Sequence, residues 1–555
     1  MTEKKASVKK RSMIFALGTM VSRLTGVVRE AVLAAVFGAT TLLDAFLVAN
    51  RIPNMLREMF AEGALGSSFT QRYAALKAED ENKAQNLLKS VTILTVLLMG
   101  TLVGLGILFA PSLVDLLTLA GGEEATELKQ QATALTRVLF PFILLMSLSA
   151  VFGGVLNERG KFFISSVAPV GLNLGYIIGG LVLAQVFSHS VADGGTIYGM
   201  DPSVFGLALG VLLGGLFQTV IQFAFIAREL FKKGKFLLWN DDVKAVFMLM
   251  GPMVLGASAG QINVMVNTNF ATSVGEGAVS WLSLSFRILQ LPIGLFSVAA
   301  ASVILPSLTK KIKTSSTSFP EVGEEFSQAT KFVLWLLFPC MTIMIFAGKD
   351  VISLLLGGGK FNQTAVENTG AALSAYGFGV LGYGLIKIFT SYFYATGRAT
   401  FPMKVSFISI GLNFVLNYFL VSKYGHVGLA ATTALVFSVN SLLLLWGMRG
   451  DGLKVNVKEL VMLAGWLGVV ACVCGFVVDN FILASNHRWL NEVLHGDASG
   501  GLQAAGIPSW LQMKMSALIN VTLAGGVICA FYLSFYFIYA KESPSKFLKK
   551  MRGRS

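Results

Sequence analysis

Residues 13–72, MIFALGTMVSRLTGVVREAVLAAVFGATTLLDAFLVANRIPNMLREMFAEGALGSSFTQR, decide how the whole chain is read. Two apolar runs long enough to enter a bilayer are interrupted by Arg23, Arg29, Arg51 and Arg57, with Glu30, Asp44, Glu58 and Glu62 among them. An arginine at the centre of a membrane helix costs about 2.5–3.5 kcal/mol, so four cost roughly 10–14 kcal/mol unless they meet counter-ions or a wet cavity. The segment therefore predicts a polar cavity inside a helical bundle, with a preference for anions.

Composition sets the solvent. Of 555 residues, 54% are hydrophobic and 13% charged, and mean hydropathy is +0.69, as in polytopic membrane proteins and unlike soluble enzymes. Only helices and closed barrels satisfy their backbones in lipid, and apolar runs of about 20 residues without strand-like alternation select helices. The fold class is thus an all-α polytopic membrane protein. Spans are predicted near 13–37, 42–74, 88–118, 131–157, 162–187, 202–230, 242–273, 277–309, 327–356, 364–397, 400–422, 426–448, 457–481 and 513–540, fourteen in all.

Lysine and arginine outside these spans orient the chain. With the N-terminus inside, the cytoplasmic segments hold Lys4, Lys5, Lys9, Lys10 and Arg11, the 228–244 loop, Lys310, Lys311 and Lys313, and the basic tail from Lys541 to Arg554. The opposite loops hold little beyond Lys129, Lys360, Lys423, Arg488 and Lys514. An even number of spans places both basic termini in the cytoplasm, so the formal charge of +14 reflects topology, and no nucleic-acid partner is expected.

Several chemistries find no support. The first apolar run is broken by Ser22 and Arg23 and lacks a small-residue cleavage site, which predicts an uncleaved first helix. Cys340, Cys472, Cys474 and Cys529 lie in apolar segments and read as small hydrophobes. His189, His426, His487 and His495 are scattered in or beside outer loops, without zinc-ligand spacing. Gly357-Gly358-Gly359-Lys360 lacks the hydroxyl residue and preceding strand of a phosphate loop. No enzyme activity and no cofactor are expected.

The chain repeats itself. Gly171-Leu172-Asn173 returns 240 residues later as Gly411-Leu412-Asn413, each after a short basic turn. The stretch around Arg51, Pro53 and Thr70-Gln71-Arg72 resembles that around Arg287, Pro292 and Thr309-Lys310-Lys311. Phe109-Ala110-Pro111 and Phe346-Ala347-Gly348 both end a span and lead into a short leucine-rich amphipathic tail. Parallel six-helix halves predict two pseudo-symmetric lobes around a central cavity, as in alternating-access carriers. The expected domains are a basic N-terminus (1–12), an N-lobe (13–230), a C-lobe (242–448), two extra helices (457–540) and a basic tail (541–555).

Pro53 and Pro292 fall mid-span and should bend their helices. Lys387 lies mid-span in the tenth helix, where an ammonium calls for a cavity, a snorkelling path or an ion pair. Gly206, Gly210 and Gly214 carry small-xxx-small spacing, which favours close helix packing. The aromatic run Phe531 to Tyr539 reads as an interfacial belt.

Ser22-Arg23, Gly26, Arg29-Glu30, Phe37-Gly38, Asp44-Ala45-Phe46, Pro53-Asn54, Leu56-Arg57, Phe60 and Glu62-Gly63-Ala64 together resemble the N-terminal signature of the MurJ (MviN) family. These are bacterial lipid II flippases of the MOP transporter superfamily. Weaker matches at Leu156-Asn157, Pro169, Asn173, Arg287, Leu291-Pro292, Gly294, Pro306 and Leu308 extend the resemblance across the duplicated region.

The resemblance implies a carrier in the bacterial inner membrane. It would move undecaprenyl-diphosphate-linked disaccharide pentapeptide (lipid II) from the cytoplasmic to the outer leaflet for peptidoglycan synthesis, with membrane lipids and the cell-wall synthesis machinery as partners. On this resemblance Arg23, Arg29, Arg57 and Arg287 contact the headgroup and Glu30 orients or releases Arg29. Asp44 and Glu62 act in the conformational change, and Ser22, Arg51, Pro53, Asn54 and Lys387 belong to the surrounding charge network. Helices thirteen and fourteen would offer the groove for the lipid tail. Guanidinium groups suit a diphosphate because they offer planar paired donors and stay charged.

The sequence departs from the family pattern in places. Phe286 replaces an Asp often found before the arginine of the eighth span, and Gly397-Arg398-Ala399-Thr400-Phe401-Pro402 lacks the usual acid. Sodium ligands of some members correspond to the neutral Asn267 and Asn417, which with Asn413 and Thr433 form a weak candidate site. The expected driving force is membrane potential, about 2.3 kcal/mol per charge per 100 mV, or else sodium. The alternatives are a cation-coupled multidrug or metabolite exporter, or another polyprenyl-diphosphate oligosaccharide flippase of the superfamily.

Overall fold

The computed structural model describes residues 2–119, 123–191, 195–232, 237–314, 319–449, 456–483 and 508–540. The basic tail, Arg488, His487 and His495 lie outside these, as do the side chains of Glu62, Lys310, Lys311, Lys313 and the basic N-terminus. The chain divides into two compact units, Met1–Ser280 with Gly359–Phe361, and Trp281–Gly358 with Asn362–Ser555. The contact boundary thus follows the seventh expected span, whereas the repeat boundary precedes it.

The first unit runs through α1 (Thr2–Phe37), α2 (Thr41–Leu56), α3 (Gly66–Glu79), α4 (Glu81–Leu108), α5 (Ala110–Leu117), α6 (Glu123–Leu139), α7 (Phe142–Glu158), α8 (Phe162–Ile178), α9 (Ala184–Ser190), α10 (Pro202–Leu230) and α11 (Asp241–Thr272). From α12 (Ala278–Pro292) the chain passes into the second unit. There follow α13 (Val298–Thr314), α14 (Phe319–Phe346), α15 (Gly348–Leu356), α16 (Gln363–Gly377), α17 (Val380–Ala395), α18 (Thr400–Arg449), α19 (Val457–Val477) and α20 (Ser509–Ala540).

Among the described residues nine helices are long and apolar enough to cross a bilayer, and α16 with α17, bent by 48°, makes a tenth. One of the nine is broken: Gly425, at φ 54° and ψ −136°, interrupts α18 and separates the two spans expected at 400–422 and 426–448. Helices also occupy 13–37, 42–74 and 242–273, but these are not among the nine. In the first two, arginines, acids and the interruption after Pro53 break the apolar run.

Both prolines are followed by a stretch of wider helix. Pro53 lies inside α2 and is followed by π-helix over Arg57–Leu65; Pro292 ends α12 and is followed by π-helix over Ile293–Ser297. A proline lacks the N–H that would bond four residues back and clashes there, and a wider turn absorbs the lost register. The two leucine-rich tails likewise form matching short helices, α5 and α15.

In lipid, helices associate through close packing and polar contacts, because the tails are as apolar as leucine. Glycines set this packing between α8 and α10: a Cβ on Gly210 would lie 2.5 Å from Gly175 O, and one on Gly214 2.9 Å from Gly175 Cα. With α10 on one side, α8 also packs along α1, which carries Asn173 and Tyr176 to Arg29. At one end of this unit, Phe69, Tyr73, Leu88, Phe152 and Ile226 form a buried cluster, and Arg159 binds Glu229 and, at 3.1 Å, Glu81. Burial opposes the Arg159 charge, but Tyr73, Glu229 and Glu81 outweigh it and hold the guanidinium pKa above its ordinary value.

In the second unit, Leu463, Leu467, Cys474, Ala524 and Ile528 join α19 and α20 to Leu334 and Phe338 of α14. Trp335 meets Phe535, Tyr536 and Tyr539 near the C-terminal end of α20.

Candidate anion-binding site

Arg29 is held by three residues. Its Nε and Nη2 donate to Glu30 Oε1 at 2.9 and 2.5 Å, and its Nη1 donates to Asn173 Oδ1 at 2.9 Å. The guanidinium carbon lies 4.8 Å from the Tyr176 ring centroid, a cation–π distance. Asn173 Nδ2 donates to Ser22 O at 3.0 Å and to Thr25 Oγ1 at 2.9 Å, so the amide is itself locked against α1. Asn50 Nδ2 donates to the Tyr176 hydroxyl at 3.2 Å, and Phe46 meets that ring edge-on at 6.1 Å. Three of the five guanidinium N–H groups are engaged. An anion approaching Arg29 therefore shares it with Glu30, which is buried with it.

Arg57 opens the π-helical stretch and is held differently. Its Nε donates to Asn54 Oδ1 at 3.0 Å and its Nη2 lies 3.5 Å from Glu58 Oε1. Asn54 Nδ2 donates to Glu58 Oε1 at 3.0 Å, and Gln261 Nε2 of α11 donates to Glu58 Oε2 at 2.7 Å. Glu58 is 41% exposed, and an ion pair this open is weak. Arg23 is exposed and has no ion-pair partner among the described residues, while Arg51 is half-buried on α2 and Pro53 is buried.

Asp44 is satisfied by backbone and hydroxyl donors and not by an arginine. Its carboxylate accepts from Gly277 N and Ser280 N, both at 2.8 Å, and from the Ser280 hydroxyl. These are donors at the start of α12, where unpaired N–H groups and the helix dipole favour a negative charge. The arrangement is reciprocal, because Glu276 Oε1 accepts from Thr41 N at 2.9 Å and Thr41 Oγ1 at 3.0 Å at the start of α2. Each helix start is capped by an acid beside the other.

In the second unit, Arg287 is half-buried on α12. Its neighbour Phe286 joins an aromatic cluster with Tyr376 at 5.5 Å, Tyr383 at 6.2 Å and Phe437 at 6.4 Å. An aromatic ring suits this apolar setting where an Asp would need a partner. Lys387 Nζ lies 5.0 Å from the Tyr383 ring centroid.

The sodium candidates are divided. Asn413 and Asn417 are fully buried one turn apart, and Asn417 Nδ2 donates to Asn413 Oδ1 at 2.8 Å. Thr433 donates to Leu429 O at 2.9 Å, and Asn267 belongs to the other unit. Among the described residues no group of three or more His, Cys, Asp or Glu is placed to hold a metal.

Sequence reasoning singled out Arg29, Glu30 and Ser22, which the structure brings together, and noted Asn173 through the repeat. It missed Tyr176, Asn50, Gln261 and Glu276. Tyr176 was accessible, since it lies three residues after Asn173 on the same helix face; the others act across folds of the chain that spacing does not encode.

The sequence model of the family described as "Lipid II flippase MurJ" matches residues 33–494. The chain is 31% identical over 442 residues to a "Probable lipid II flippase MurJ" of Buchnera aphidicola subsp. Schizaphis graminum, covering 79% of this chain and 83% of the relative. It is 31% identical over 474 residues to the Vibrio cholerae protein of the same description, covering 84% and 87%. Among solved structures, "Lipid II flippase MurJ, inward closed conformation" superposes with a TM-score of 0.71 at 23% identity, over 95% of this chain and 100% of that one. An inward-facing multidrug resistance MATE family transporter of the MOP superfamily gives 0.63 at 18% identity, over 80% and 99%. The fold is thus that of the MOP transporters, and the match over 33–494 together with these relatives places the chain in the MurJ family of lipid II flippases.

Proposed function

We propose that this protein carries lipid II across the bacterial inner membrane, from the cytoplasmic to the outer leaflet, by alternating access with fourteen spans and both termini in the cytoplasm. Membership of the flippase family over most of the chain carries the reading. The arginine chemistry gives it a physical basis: Arg29 is built into a polar nest and has two guanidinium N–H groups besides the three bonded to Glu30 and Asn173, suited to a diphosphate oxygen. Arg23, Arg57 and Arg287 supply further positive charge, Glu30 competes with the anion for Arg29 and so favours release, and Glu62 and Arg51 serve the conformational change. Membrane potential acting on these charges drives the cycle, with sodium as the second candidate, and the cell-wall synthesis machinery receives the product.

Leaflet-specific detection of lipid II after acute depletion tests this directly. Retention on the inner face, rescued by the native chain but not by Arg29→Ala or Arg287→Ala proteins that accumulate normally, is expected. Normal growth with both substitutions present would rule out the arginine mechanism.

A further inference from the structure

Lys387 is half-buried within an apolar helix in a way that a cation–π contact alone does not explain. It lies within α17, half-buried, and among the described residues it has no ion-pair partner. Its ammonium rests over Tyr383, whose ring is stacked on Phe437 at 4.4 Å with an interplanar angle of 9°, and Phe286 closes the cluster beside Arg287. A cation–π contact contributes about 0.5–2 kcal/mol, less than the roughly 2.5–3.5 kcal/mol that a lysine costs at mid-membrane. The remainder calls for water and an anion. The helix face agrees, because Tyr383, Lys387, Thr390 and Tyr394 follow at helical spacing, the first three half-buried and Tyr394 exposed, a polar stripe unsuited to acyl chains.

We propose that Lys387, positioned by the Tyr383–Phe437 stack, is a second-unit contact for an acidic group of the translocated substrate. Resting on the lipid II reading above, the group is either a carboxylate of the peptide or a phosphate oxygen, since the sugars are neutral. A compact ammonium held at a fixed point on a ring accepts either.

The test uses the full-length protein purified in detergent and two water-dispersible probes: a short-chain polyprenyl-diphosphate disaccharide carrying the pentapeptide, and the same compound without it. Lys387→Gln is expected to weaken binding of the complete probe roughly tenfold, as for loss of a charge-assisted hydrogen bond, while Lys387→Arg stays close to native. An unaltered thermal unfolding midpoint for Lys387→Gln separates this from misfolding. If the peptide-free probe is weakened equally, the anion is the diphosphate; if it is unaffected, the anion is the peptide carboxylate. Native affinity of Lys387→Gln for the complete probe overturns the proposal, as does an equal loss in Lys387→Arg. Failure of the native protein to bind either probe overturns the lipid II reading and this inference with it.

Discussion

Arg29 and Asn173, 144 residues apart, are joined by a 2.9 Å hydrogen bond from guanidinium to amide oxygen, and the same amide donates back to Ser22 O and Thr25 Oγ1 on the helix that carries Arg29. Asn173 is thus a clamp between α8 and α1 that sets the plane of the arginine. The orientation of the guanidinium is fixed by a neutral residue, and its charge is tempered by Glu30.

Asn173→Ala is expected to reduce complementation of a flippase-depleted bacterium while the protein accumulates, because Arg29 then turns toward Glu30 alone. The stability cost is about 1–3 kcal/mol for the buried polar groups left without partners, readable as a lower unfolding midpoint. Full activity with an unchanged midpoint would remove Asn173 from the site.

Asp44 caps α12 through Gly277 and Ser280. Asp44→Ala removes every acceptor and should destabilise by about 1–3 kcal/mol. Asp44→Asn keeps one oxygen and loses the charge facing the helix dipole, for about 1 kcal/mol. Thermal unfolding of the two purified variants should therefore rank native, Asn, Ala; equal losses would contradict a capping role.

Gly210 touches the backbone of α8. Gly210→Val has no side chain to displace and must push two helices apart, which places it at or above the upper end of the roughly 1–3 kcal/mol usual for overpacking. Little folded protein should be recovered by size-exclusion chromatography. Gly100→Ala and Gly104→Ala, where a Cβ meets nothing within 4 Å, should behave as native.

The Asn413–Asn417 pair spends one amide on the other and offers a cation no carboxylate. The native protein is expected to show no sodium-dependent shift in unfolding midpoint, whereas Asn417→Asp, which adds a hard anionic oxygen, should gain one. A native shift in sodium but not in potassium would favour sodium over membrane potential as the driver.

The solvent, the helical class, the paired prolines and the arginine-rich first hairpin were legible from residue order, because the cost of charge in lipid and the 3.6-residue period are local properties of a sequence. Small-residue spacing at Gly206, Gly210 and Gly214 likewise announced a close helix crossing, and the structure supplies its partner in Gly175 and Gly179. The phenylalanine at 286 could be seen as a departure, but not as a member of an aromatic cluster drawn from three further helices.

Which acid meets which cation was beyond the sequence. Asp44 sits seven positions before Arg51 and yet bonds to Ser280, 236 residues away; Glu58 and Glu30 take Arg57 and Arg29 instead. Residue order alone determined that charge had to be sheltered within the membrane and that arginine would carry it. Tertiary packing decided the partners, because lipid tails are as apolar as the helices they surround, so neighbours are chosen by shape and hydrogen bonding across the fold and not by hydrophobicity along the chain.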